Sequence, residues 1–100
     1  MYQIAETEEF SRWLQGIKDA GTRLRLIKRL RRASLGNLGD VRSLGNGVFE
    51  MREFFGPGWR MYYLRKDRLL VIMLGGGDKS TQVRDIQRTK VLAQELLDEY

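Results

Sequence analysis

The sequence predicts an α+β fold: an N-terminal strand, a helical hairpin, a three-stranded antiparallel meander and a C-terminal helix. Three observations lead to that class. Period-two alternation runs through Val48–Phe54 and again through Trp59–Leu64, with a tight-turn signal between them. Apolar residues at helical spacing lie on both sides of that stretch. A chain of 100 residues with 42% hydrophobic content and one proline suits one domain, residues 1–100, with helices packed on a sheet.

Taken in order, Tyr2–Ala5 is short and suits an edge strand. Thr7 is an N-cap, followed by Glu8 and Glu9 where the helix dipole favours carboxylates. Phe10, Trp13, Leu14 and Ile17 then fall at i, i+3, i+4 and i+7, one apolar stripe, and Asp19-Ala20-Gly21 ends the helix. A second helix runs from about Thr22 to Ser34. Leu26, Ile27, Leu30 and Ala33 face inward, while Arg23, Arg25, Lys28, Arg29, Arg31 and Arg32 face outward. The break of three residues implies an antiparallel hairpin. Gly36-Asn37-Leu38-Gly39-Asp40 reads as a loop, and Gly45-Asn46-Gly47 as a turn into the meander.

Within the meander, Gly56-Pro57-Gly58 carries type II turn chemistry, with proline at the first central position and glycine at the second. Lys66-Asp67-Arg68 makes the next turn. Leu69–Leu74 is a continuous apolar run, as a strand buried on both faces requires. Gly75-Gly76-Gly77 reads as a loop, and a last helix starts at Ser80 or Thr81. Its stripe is Val83, Ile86, Ala93 and Leu97, with Leu92 and Leu96 beside it, and it ends near Asp98-Glu99-Tyr100. Trp13, Leu30, Met61 and Ile86 are expected in one core.

The period of two also sorts polar side chains. If Phe49, Met51, Trp59, Met61 and Tyr63 point inward, then Glu50, Arg52, Arg60 and Tyr62 stand together on an open face. Asp78 and Lys79 follow the third strand and bring two more charges to its end. The plain reading of Glu50, Arg52 and Arg60 is an exposed ion network, and that of Asp78 a helix cap.

Cysteine and histidine are both absent. Thiolate chemistry, histidine bases and most catalytic zinc sites are thereby excluded. No apolar run approaches the roughly 18 residues of a membrane span, and no signal-peptide core is present, so a soluble cytoplasmic protein without a membrane partner is expected. A net charge of +5 favours a polyanionic partner. The arginines of the second helix suit either a solvated face or a phosphate-contacting stripe, with Arg29 and Arg32 the candidates to touch substrate.

Several phrases together resemble the RelE/ParE superfamily of toxins from type II toxin–antitoxin modules, in particular the HigB-like subgroup of addiction module killer proteins. They are Gly36-Asn37-Leu38-Gly39-Asp40, Gly47-Val48-Phe49-Glu50-Met51-Arg52, Phe55-Gly56-Pro57-Gly58-Trp59-Arg60-Met61-Tyr62, and Gly75-Gly76-Gly77-Asp78-Lys79-Ser80 with Gln82, Asp85 and Ile86. The resemblance covers nearly the whole chain. It implies a microbial-RNase-like α/β fold, mRNA cleavage usually on the translating ribosome, and neutralisation by an antitoxin, often a helix-turn-helix repressor. It also implies that Arg52, Arg60 and Lys79 bind the scissile phosphate. Glu50 stands where RelE toxins carry a lysine, and the histidines of some HigB-like toxins have no counterpart here.

Cofactor-free RNA cleavage needs a base, charge stabilisation and a proton source. Arg52 and Arg60 suit the second task, and Lys79 adds a point charge or exchanges a proton. Glu50 or Asp78 is the expected base, and Tyr62 donates a hydrogen bond or stacks on a nucleobase. The same fold also allows a ParE-like, non-enzymatic inhibitor of DNA gyrase, or an interaction protein without toxicity.

Overall fold

The computed structural model describes residues 1–99; Tyr100, expected at the end of the last helix, lies outside them. The elements run β1 (Gln3–Glu6), α1 (Glu8–Gln15), α2 (Ala20–Ser34), β2 (Val41–Gly45), β3 (Val48–Arg52), β4 (Arg60–Arg65), β5 (Leu70–Gly77) and α3 (Gln82–Asp98). The protein is α+β, with a five-stranded sheet in the order β1-β5-β4-β3-β2. β1 runs parallel to β5, and the other pairs are antiparallel.

Of the expected caps Thr7 acts as such, whereas Thr81 precedes α3 without a side-chain cap bond. Thr7 accepts from the Phe10 N–H and starts α1. Asp19 caps α2 by accepting from the Thr22 N–H and hydroxyl, so the break between the helices comes at Gly16 and Asp19 begins a helix instead of ending one. Those bonds hold the Asp19 carboxyl below its usual range. Asp67 does the same for the β4–β5 turn, accepting from the N–H groups of Leu69 and Leu70.

β2 is an additional strand. Asn46 and Gly47 both have positive φ, and Gly45 pairs with Val48, which makes Asn46-Gly47 a two-residue hairpin loop with left-handed backbone. The Gly56–Gly58 turn closes one residue earlier than expected. Gly58 N–H donates to the Phe55 carbonyl, so Gly56, with φ 59°, takes the first central position and Pro57 the second. Gly75-Gly76-Gly77 is strand, not loop.

Two apolar layers result. Phe10, Leu14 and Ile17 of the first helical stripe join Leu26, Leu30 and Ala33 of α2 over Met51, Met61, Tyr63, Val71 and Met73. Val48, Leu64, Ile72 and Leu74 point the other way, against Ala93 of α3. Helices therefore cover both faces. Trp13, Leu30 and Met61 share the first core as expected, but Ile86 belongs to neither cluster.

α3 departs furthest from its sequence reading. Thr89 and Ala93 are its buried residues, whereas Val83 is 74% exposed and Leu97 points outward. α2 holds a second correction. Arg29, expected on the outer face, is 5% exposed, while Ile27, expected inside, is 38% exposed. Arg29 donates to the carbonyls of Arg52, Leu38 and Asp40 at 2.8, 3.0 and 2.8 Å and pairs with Glu53. It ties the loop before β2 to the end of β3.

Candidate active site

Glu50, Arg52, Arg60 and Tyr62 do share a face. Across the β3–β4 ladder Glu50 lies opposite Tyr62, and Arg52 opposite Arg60. β5 extends both rows with glycine, Gly75 beside Tyr62 and Gly77 beside Arg60. The face is not open. The first half of α3 covers it, presenting Gln82, Asp85 and Thr89 to the polar rows, while Ala93 and the turns beyond meet the apolar row.

The glycines make that approach possible. A Cβ on Gly77 would overlap the Asp85 carboxylate and the Thr81 hydroxyl, and one on Gly76 would overlap the Trp13 ring on the opposite side. A cavity of about 310 Å³ opens at this edge, lined by Glu9, Arg12, Trp13, Asp85 and Arg88 together with Gly75 and Gly76. Glu9 and Arg88 pair across it at 2.6 Å, joining α1 to α3.

Glu50 is fully buried. Gln82 Nε2 donates to its Oε2 at 2.8 Å, and the guanidinium groups of Arg42 and Arg60 lie 3.4 and 4.0 Å from its Oε1. Burial, reinforced by the Glu50 and Asp85 charges, pushes the Tyr62 phenol far up, so it stays neutral. Glu50 Oε1, Arg60 Nε and the Tyr62 hydroxyl all lack a hydrogen-bond partner of good geometry. Three such atoms in one place mark a polar cluster that the protein encloses without fully satisfying.

Arg60 is 8% exposed and leans on the Gly56–Gly58 turn, its Nη1 donating to the carbonyls of Glu53, Gly58 and Trp59 at 3.3 to 3.4 Å. Lys79 meets the same turn, with its backbone N–H on the Pro57 carbonyl at 3.3 Å, and the residue is exposed. Arg52 is about one-third exposed, and its Nε and Nη2 each reach the Asp40 carboxylate at 3.1 Å. That bidentate grip raises its pKa further. Asp78 caps the turn Lys79–Thr81, accepting from the N–H and hydroxyl of Ser80, which lowers its pKa.

Arg60 and Lys79 thus meet at the Gly56–Gly58 turn, while Arg52, opposite Arg60 at the same end of the ladder, is turned toward Asp40. Glu50 and Tyr62 lie behind them, sealed under α3. Asp78 is engaged as a cap, Arg29 is interior, and Arg32 is exposed on α2. Asp40, Gln82 and Asp85 were not singled out as site residues by the sequence reading. A polar stripe at Gln82, Asp85 and Thr89 was available as a signal, but a search for apolar periodicity passes over it. Among the described residues, no group of three or more acidic, histidine or cysteine side chains could hold a metal ion.

Fold and site together define a small basic α+β protein with cations gathered at one end of a helix-covered sheet. The chain is 44% identical over 94 residues to an uncharacterized protein of Haemophilus influenzae, a match spanning 94% of this chain and 95% of that protein, and it belongs to the same family. No protein-family model matches the chain, and no solved structure does.

Proposed function

We propose that the chain is a type II toxin of the RelE/ParE superfamily, a cytoplasmic mRNA endonuclease that blocks translation on the ribosome. The observation that carries this reading is the placement of Arg52 and Arg60 opposite each other at the end of the β3–β4 ladder, with Lys79 bonded to the Gly56–Gly58 turn on which Arg60 leans. The RelE-like fold expected from the sequence belongs to the same proposal. Its support is the strand, paired helices, antiparallel strands and final helix, although this chain has one antiparallel strand more than expected.

In that reading Arg52 grips a non-bridging phosphate oxygen and Lys79 adds a mobile charge beside it. Arg60 fixes the turn from below and contributes its field. The pentavalent transition state carries more negative charge than the diester, so groups placed at the developing charge accelerate cleavage. Glu50 is sealed and Asp78 is held by its cap, so neither carboxylate stands free for the 2′-hydroxyl proton. Lys79 is the titratable group left at that point.

The engagement of both carboxylates, Glu50 by burial and Asp78 by its cap, also favours a second reading, a ParE-like inhibitor of DNA gyrase that needs no base. Induction separates the two: cut messages and lost translation support the nuclease, whereas DNA damage with intact messages supports gyrase inhibition. A harmless chain would leave an interaction protein without toxicity.

A toxin needs an antitoxin, and we place it as a helix-turn-helix protein that docks on α2 or over Arg52, Arg60 and Lys79. On α2, exposed Leu24 and Ile27 lie among Arg23, Arg25, Lys28 and Arg31, so apolar anchors accompany the charge. Co-expression with the neighbouring gene tests this. No helix among the described residues is long and apolar enough to cross a membrane.

A further inference from the structure

Beside Arg52 the surface opens into a cleft of about 490 Å³ between α2, the loop before β2 and the end of β3. Its walls include Arg25, Arg32, Arg52, Phe54 and Phe55. The guanidinium of Arg25 lies 3.6 Å from the centre of the Phe55 ring, which fixes one wall. Phe54 is 81% exposed, with the Arg52 guanidinium 5.9 Å from its ring centre. A phenyl ring left this open buries nothing in the chain itself. Arg52 is matched by Asp40 and Arg29 by Glu53, but Arg25 and Arg32 have no carboxylate partner among the described residues. The cleft therefore combines a bare aromatic face with two unmatched guanidinium groups.

We propose that this cleft binds a single-stranded RNA segment next to the cleaved phosphate, with one nucleobase stacked on Phe54 and the backbone held by Arg25 and Arg32. Every base has a π-face, and a free ring flanked by cations is the arrangement that binds single strands without reading sequence. An acidic peptide would use the cations but not the flat ring. The proposal rests on the RNA reading above and adds a subsite to it: Phe54 positions substrate and does not take part in the chemistry.

The test is fluorescence anisotropy of the purified full-length chain with a labelled single-stranded RNA, alongside steady-state cleavage of mRNA on purified ribosomes. Phe54→Ala should weaken RNA binding roughly tenfold or more, in line with loss of one stacked base. Phe54→Trp should retain binding. Arg25→Ala with Arg32→Ala should flatten the salt dependence by roughly 0.7 per lost phosphate contact on a log–log plot. In cleavage, Phe54→Ala should raise KM and leave kcat near wild type. If the wild-type chain binds and cuts RNA and Phe54→Ala does both equally well, the subsite is wrong and the nuclease reading stands. If the wild-type chain binds no RNA, or binds a glutamate-rich peptide through Phe54 in its place, the subsite is overturned along with the RNA-binding premise.

Discussion

At the scale of single residues, exposure separates side chains that hold the fold from those free to act. Arg29 and Arg52 look alike in the sequence, yet one is enclosed and the other meets solvent. Removing Arg29 would strand Glu53 and free three carbonyls, so Arg29→Ala should cost about 3–5 kcal/mol in chemical denaturation. A loss below about 1 kcal/mol would mean that the Arg29 contacts are incidental. The Tyr62 hydroxyl is buried beside the Glu50 carboxylate without a hydrogen bond of good geometry, so Tyr62→Phe should stabilise the protein by about 1 kcal/mol. A destabilised Tyr62→Phe would show that the hydroxyl is engaged in the resting fold. Asp78 bears on acid stability. Its folded pKa lies below the ordinary carboxylate value, so its contribution is complete above about pH 4 and fades as pH falls through the lower folded value. Asp78→Asn keeps an accepting oxygen and should remove that part of the acid-side slope, measured as Tm against pH. An unchanged slope would assign it to Asp19 and Asp67, whose pKa values are lowered by similar bonds.

At the scale of elements, most of the pattern was legible and the failures have one cause. Thr7, the turns and the three strands of the meander follow from caps and alternation, because those signals are local. The largest departures are β2, the strand state of Gly75–Gly77, and the true face of α3. β2 was hidden because Val41–Gly45 is mostly exposed and lacks a strong apolar alternation, although the Asn46-Gly47 pair signals a hairpin. The glycines read as a loop because nothing local shows that Trp13 and Asp85 need their missing side chains. α3 was turned the wrong way because its first half covers polar groups, so apolar periodicity pointed to exposed Val83. These are tertiary demands, which a local pattern does not carry. The glycine argument predicts that Gly76→Ala costs about 1–3 kcal/mol by overpacking against Trp13. In a double-mutant cycle Trp13→Leu should recover at least about 0.5 kcal/mol of that loss. Additive losses would show that the ring and the strand do not press on each other.

At the scale of the whole molecule, the candidate site was half legible. Alternation gathered Glu50, Arg52, Arg60 and Tyr62 on one face, but it could not show that α3 closes over it. The result divides the cluster: Glu50 and Tyr62 lie inside, while Lys79 reaches solvent and Arg52 does so beside a cleft whose aromatic wall, Phe54 and Phe55, the alternation pattern does not single out. Arg52→Ala and Lys79→Ala are therefore the informative variants, since both should stay folded, whereas Arg60→Ala should also lose stability. The most direct measurement is to induce the chain and each variant in cells and map the ends of cellular messages alongside rates of protein and DNA synthesis. The account predicts that the wild-type chain cuts messages and halts translation first, and that Arg52→Ala lowers cleavage by roughly 10²–10³ with Tm unchanged. Intact messages under the wild-type chain, or undiminished cleavage by folded Arg52→Ala, would contradict it.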